Sequence, residues 1–257
     1  MIARAQLWGD YLLLAVAIGL AWQAGHALTG DEGLASPAAT LGEIVTLAGT
    51  AEFWGHLAET GKAFAAAALI SAAGGIMLGL ILGAHRLSGE VAAPVLITFY
   101  SLPKVVLYPL LLLIFGLGLP AKIAFGALHG IFPVIIVTMN AVANLNPVYV
   151  RTARVLRLPR LDVARRVLIP AIMPEALSGL RVGLSLSLLG VLVGEMFASQ
   201  HGMGFLIINA MTLGDVKLIT ATTVILVGIA LAINGLMLAL VEHLRHGGVG
   251  SARVAAE

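Results

Sequence analysis

The chain has 257 residues, of which 60% are hydrophobic and only 11% charged, and its mean hydropathy is +1.01. Soluble domains carry about 25% charged residues, so a soluble globular fold is excluded and a single integral membrane domain is expected. The formal net charge is only +2, and the absence of cysteine excludes disulfides and thiolate chemistry.

A membrane-spanning helix needs about 20 apolar residues to cross roughly 30 Å of hydrocarbon. Six stretches meet that length, which predicts an all-α membrane protein of six transmembrane helices. The first covers 7–28. It is long enough to span and no cleavage site closely follows a short apolar core, so a removed signal peptide is not expected. A loop over 29–61 follows, opening on the turn residues Thr29 to Gly33. Its stretch around Glu52-Phe53-Trp54-Gly55-His56-Leu57 reads as an interfacial helix, or a solvated loop with one aromatic anchor.

The second span covers 62–84. Within it Gly75, Gly79 and Gly83 form two overlapping G-x-x-x-G steps, a spacing repeated by Gly126/Gly130, Gly179/Gly183 and Gly190/Gly194. Such steps let helix backbones approach closely in lipid, within a bundle or between two copies. The third span covers 91–115. Lys104 lies near its middle beside Ser101, with Pro103 and Pro109 each removing a helical hydrogen bond. A central lysine costs roughly 3 kcal/mol on insertion scales. It is expected to line a substrate pathway suited to anions, or else to snorkel or pair with Glu195.

The fourth span covers 120–143 and carries His129 and Asn140, with Phe132-Pro133 expected to break it. A lone intramembrane histidine serves as a packed hydrogen-bonding residue or touches substrate. The stretch from Pro147 to Arg181 is the longest polar interruption of the chain. Arg151, Arg154, Arg157, Arg160, Arg165 and Arg166 within it are 6 of the 15 Lys+Arg residues. Asn146-Pro147 reads as an N-cap with proline at the first helical position. Pro159 is expected to break that helix, and Pro170 and Pro174 to end the next, giving a short docking helix pair.

The fifth span covers 175–198 and ends on Glu195, which either shapes a gate or caps the span end. The sixth covers 218–243. Arg4, Arg86, the loop arginines, Arg245 and Arg253 all fall on one side if the N-terminus is inside, while Lys62, Lys122 and Lys217 fall on the other. Both termini and the arginine loop are therefore expected in the cytoplasm. There is no H-E-x-x-H, no G-x-S-x-G and no G-x-x-x-x-G-K-[ST] in the chain. It is not expected to be an enzyme or to hydrolyse ATP by that loop.

The arginine stretch resembles the "EAA" loop of the integral permease subunits of bacterial ABC importers, whose pattern runs E-A-A, three residues, G, nine residues, I-x-L-P. Thr152-Ala153 stand where the two alanines would, and the residues from Arg166 to Pro174 and then Gly179-Leu180-Arg181 match the downstream part. Arg151 replaces the glutamate and Arg157 the glycine, so Pro159 is expected to make the turn. The stretch from Ser101 to Val134 is similar to the P-x-x-A-x-x-P-L-x-x-x-W-F-G-x-G region of the subfamily for nitrate, sulfonates and taurine, with Ile114-Phe115 at tryptophan-phenylalanine. The stretch from Gly194 to Ala210 is similar to its A-E-x-x-x-x-x-x-G-L-G segment.

The resemblance covers roughly 200 residues and implies a type I importer permease fold in a bacterial inner membrane, with a cytoplasmic coupling helix. It implies a first helix and outer loop over 1–55, a permease core over 56–246 with its coupling loop at 146–174, and a cytoplasmic tail over 247–257. A second copy of the permease, two ATPase subunits and a periplasmic or lipid-anchored binding protein are the implied partners, within membrane lipid and without nucleic acid. ATP and Mg would sit on the ATPases, and no cofactor on this chain. Arg151, Ala153, Arg154, Leu156, Arg157, Pro159, Arg160, Pro170 and Pro174 are the implied coupling residues. Ser101, Pro103, Lys104, His129, Phe132, Asn140 and Glu195 are the pathway candidates. The expected substrate is a small anion or organosulfur compound, or a small aromatic nutrient such as a thiamine pyrimidine precursor. A secondary transporter or channel would instead show inverted repeats, and no convincing internal repeat is visible.

Overall fold

The computed structural model describes the backbone of residues 2–254 and the side chains of residues 9–243, apart from Val150, Arg160 and Ala198. Among the described residues every regular element is helical: α1 (Ile2–Thr29), α2 (Pro37–Ala48), α3 (Ala51–Ala84), α4 (Arg86–Ser101), α5 (Tyr108–Phe115), α6 (Leu119–Ala143), α7 (Pro147–Val155), α8 (Arg160–Asp162), α9 (Ile169–Ala198), α10 (Met203–Leu213) and α11 (Val216–Val254). Five are long and apolar enough to cross a membrane, or six if the bent pair α4 and α5 counts as one span.

Backbone contact between α3, α6 and α9 builds the core. A Cβ on Gly75 would stand 2.6 Å from Val134 Cβ, and one on Gly79 2.6 Å from Thr138 Cβ, both on α6. One on Gly179 would meet Val137 Cβ at 2.7 Å, and one on Gly183 would lie 2.8 Å from Gly130 O. The G-x-x-x-G steps therefore serve packing inside one copy. A second apolar cluster at the far end of the bundle joins Phe53 of α3, Met203 and Leu206 of α10, and Leu226 of α11.

The expected third span is not straight. Arg86–Ser101 and Lys104–Phe115 are bent by 85°. Pro103 lacks an N–H, and the residue before a proline is forced out of the helical region. Leu102 is accordingly extended, at φ −63° and ψ 139°. A 3₁₀ turn over Lys104–Leu107 follows, and Pro109 sits in the first turn of α5, where its missing donor costs nothing. Pro109 thus opens a helix instead of interrupting one.

Other expected breaks are absent. Pro133 lies inside a continuous α6, and Pro174 inside a continuous α9. Pro170 starts α9 directly after a π-turn over Val163–Leu168. The carbonyl that Pro170 would obstruct belongs to Arg166, within that wider turn, so the chain continues. The fifth span therefore begins near 163, not 175. The stretch around Glu52–Leu57 lies in the first two turns of the long α3, capped by Thr50. The short helix of that loop is α2, capped by Ser36 with Pro37 behind it.

Candidate functional site

The arginine loop is a built structure. Asn146 Oδ1 accepts from Val148 N at 3.0 Å and starts α7. At the other end Arg157 N donates to Arg154 O at 3.0 Å and Leu158 N to Ala153 O at 3.1 Å. This pair of bonds closes a helix with its next residue in the left-handed region, usually glycine. Here that residue is Arg157, at φ +51°. The turn is thus made at the glycine position itself, by an arginine, at a cost of about 1 kcal/mol. Pro159 only follows it, offering its carbonyl to Val163 N at 3.0 Å.

Arg151, Arg154 and Arg157 are exposed, as are Val155 (81%) and Leu156 (64%). Ala153 is 2% exposed; it turns inward on α7, which packs against the π-turn. Pro170 is exposed and Pro174 half-buried, and Arg160 has no described side chain. Arg166 Nε lies 3.6 Å from Asp162 Oδ1, one turn away. A cavity of about 410 Å³ under α7 is lined by Asn140, Asn144, Asn146, Tyr149 and Glu175. Asn140 also lines a second cavity, of about 550 Å³, with His85, Arg86 and Glu90, so it stands toward the loop end of α6.

At the 85° bend, Lys104 Nζ donates to Tyr100 O at 2.8 Å. Tyr100 is in the last turn of α4, where a carbonyl lacks its helical donor. The ammonium also lies 5.1 Å from the Tyr100 ring centroid and 5.7 Å from that of Phe132, and Phe132 stacks on Phe99 at 5.9 Å. Lys104 is 8% exposed and neither snorkels nor pairs with Glu195. Ser101 donates to Ile97 O at 2.9 Å on the same turn. His129 lies within electrostatic range of Lys104, its Nδ1 donating to Phe125 O at 2.9 Å and its ring edge-on to Phe125 at 4.5 Å. It packs against α9, where a Cβ on Gly190 would reach its Nδ1 at 2.9 Å.

Glu195 is fully buried and neither caps α9 nor opens to solvent. It accepts from Thr60 Oγ1 at 2.8 and 3.0 Å and from Gly204 N at 3.0 Å, with Lys122 Nζ at 4.0 Å. Thr60 Oγ1 in turn accepts from Met203 N at 2.8 Å, and His56 Nδ1 from Gly202 N at 3.0 Å. Lys122 donates to His201 O at 2.9 Å and lies 3.8 Å from Glu59. Together α3, α6 and α9 clamp the segment 199–204, beside a cavity of about 460 Å³ lined by Glu59, Lys122, Gln200 and His201.

Sequence reasoning read Lys122 only as a span-end charge and gave no role to Thr60, His56 or Arg181. Arg181 is the clearest omission, since an arginine twelve residues into an apolar helix is itself a signal. Its Nε donates to Asn234 Oδ1 at 3.2 Å, across to α11.

The model of the family "Binding-protein-dependent transport system inner membrane component" matches residues 75–247. The taurine transport system permease protein TauC of Escherichia coli is 30% identical over 202 residues, 77% of this chain and 71% of that protein. The nitrate import permease protein NrtB of Leptolyngbya laminosa is 33% identical over 163 residues, 63% of this chain and 58% of that protein. A structure of the MetNI methionine ABC transporter in an inward-facing conformation superposes with a TM-score of 0.64 at 19% identity, covering 72% of this chain and 93% of that one; the likeness is one of fold. With its spans, its capped arginine loop and this match over two thirds of its length, the chain belongs to the binding-protein-dependent inner membrane permeases and is a multi-pass permease subunit of an ABC importer.

Proposed function

We propose that the chain forms, with a second copy of itself, the translocation pathway of an importer for a small anion or organosulfur compound such as nitrate, a sulfonate or taurine. The observation that carries the anion reading is Lys104. Its ammonium is nearly buried at a bent, twice-proline-marked span, held by a carbonyl and two aromatic rings with no carboxylate within ion-pairing distance among the described residues. Such a charge favours a negative ligand in a low-dielectric path. Ser101, Pro103 and Phe132 shape the same bend; His129 and Glu195 hold neighbouring helices around it.

ATP and Mg belong to two cytoplasmic ATPase subunits, and substrate arrives on a separate binding protein. The ATPases dock on the exposed part of α7, through Arg151, Arg154, Val155, Leu156 and Arg157. Ala153 and Pro159 hold its shape, and Arg160, Pro170 and Pro174 continue it into α9. Both termini are cytoplasmic in this reading.

The test is uptake by the reconstituted transporter with its binding protein. Nitrate or an alkanesulfonate is expected to be carried and a neutral hydroxymethylpyrimidine not, with Lys104→Met lowering anion uptake about tenfold while basal ATP hydrolysis persists. Transport of the neutral compound alone would reject the anion reading.

A further inference from the structure

We propose that Arg181, Ser185 and Asn234 form an oxyanion-binding site between α9 and α11, inside the membrane. The proposal rests on the reading of the chain as an anion pathway subunit and adds to it a second cationic station. Arg181 is twelve residues from the start of α9 and seventeen from its end, so about 18 Å of helix separates it from the loop end. A charge at such depth faces protein or a water-filled space, because lipid disfavours it.

The geometry is that of a held fork. Arg181 Nε donates to Asn234 Oδ1 at 3.2 Å. Asn234 is fixed in turn, its Nδ2 donating to Ser185 Oγ and to Ala230 O, each at 3.0 Å. Ser185 Oγ lies 3.1 Å from Arg181 O and 3.2 Å from Asn234 Oδ1. A guanidinium has five N–H donors, and the bond to Asn234 uses one. Among the described residues no carboxylate lies within ion-pairing distance of Arg181.

Arg181, Ser185 and Asn234 line a cavity of about 560 Å³ with Tyr100, Ser178 and Leu238. The two terminal NH₂ groups of a guanidinium match two oxygens of one carboxylate, sulfonate or nitrate, a pairing that lysine does not reproduce. Tyr100 connects this site to the bend. Its carbonyl holds Lys104, while the residue also lines the Arg181 cavity. The two intramembrane cations thus flank the last turn of α4, and an anion leaving one meets the other.

The same chemistry also fits a lipid phosphate, and the test separates the two. The chain has no cysteine, so Ser178→Cys places a single thiol in the cavity, with Leu238→Cys as a second position. The whole transporter in nanodiscs is treated with anionic sulfonatoethyl methanethiosulfonate and with cationic trimethylammonioethyl methanethiosulfonate, and modification of the permease is followed by mass. Relative to a free thiol, the anionic reagent is expected to be favoured at least about tenfold. Arg181→Gln should abolish that preference, and Arg181→Lys should keep part of it. An equal preference in Arg181→Gln overturns the proposal, and so does failure of either thiol to react, which is the result for a cavity filled by lipid. Nitrate or alkanesulfonate uptake is scored separately: its failure rejects the anion-importer reading, whereas a charge preference independent of Arg181 rejects only this site.

Discussion

Glu195 is surrounded by donors that have few other uses. Removing its carboxylate leaves Gly204 N, Thr60 and Lys122 facing a void in a buried place. Glu195→Ala is expected to cost about 3 kcal/mol, read as a fall in melting temperature in detergent, while Glu195→Gln, which keeps the shape and one acceptor, should lose less than half of that. Equal losses would mean that the clamp depends on the carboxylate charge and not on the shape that glutamine keeps. At Arg157 the left-handed backbone ranks the replacements: Gly most stable, then Asn, then Arg, with Val worst, over a range of about 2 kcal/mol. A melting series in any other order would count against the turn. The residue types of these sites are visible in the sequence, but their states are not. An arginine at a family's glycine position does not reveal whether the chain still turns there, and a glutamate near a span end does not reveal that three other helices supply its donors.

The three-helix crossing of α3, α6 and α9 depends on absent side chains. Gly79→Val would drive its Cβ to 2.6 Å from Thr138 Cβ and 2.9 Å from Ile135 O, so a loss of about 3 kcal/mol or a failure to fold is expected. Gly235→Ala on α11, with nothing within 4 Å, should be neutral in the same assay. The G-x-x-x-G spacing shows a packing face but cannot name its partner, so bundle and dimer were equally compatible with the sequence. Proline was the other ambiguous sign. Pro103 bends its span because Leu102 is extended and Lys104 satisfies the carbonyl of Tyr100 left open there. Pro133, Pro170 and Pro174 sit in continuous or merely widened helix. A proline breaks a helix where other groups take over the freed carbonyl and the chain has somewhere else to go. On α7, Leu156→Asp is expected to abolish ATP-coupled uptake with the fold intact, whereas Ala153→Asp, at a buried position, should unseat the helix. Wild-type coupling in Leu156→Asp would place the docking surface elsewhere.

At the scale of the molecule, the number of spans, the position of the polar loop and the membrane class were legible because apolar length is a composition signal. The bend and the continuity of the fifth span were not, since both depend on what surrounds a proline. Arg4, Arg245 and Arg253, used to orient the chain, lie outside the described side chains. The orientation is therefore tested directly: Arg165→Cys should react with an impermeant thiol reagent in inverted vesicles and not in intact cells. The first helix is loosely joined. Its links to the following segment include Trp22 Nε1 to Ala35 O at 3.0 Å and His26 Nδ1 to Leu34 O at 2.7 Å, and among its described side chains none is fully buried. Removing residues 2–29 is expected to leave the melting temperature of the remaining bundle nearly unchanged; a large drop would show that α1 is held by more than these bonds.

The passage from the arginine loop into α9 without a stop has a mechanical consequence. The thirty residues of α9 form a rod about 45 Å long. One close crossing, Gly183 against Gly130, falls fourteen residues from one end and fifteen from the other. A rod gripped at its midpoint is a balance beam. In such a beam a displacement of the loop end of α9 would return at the other end in the opposite direction, where Glu195 grips the segment 199–204. Two ends joined in this way would open in alternation without further gearing.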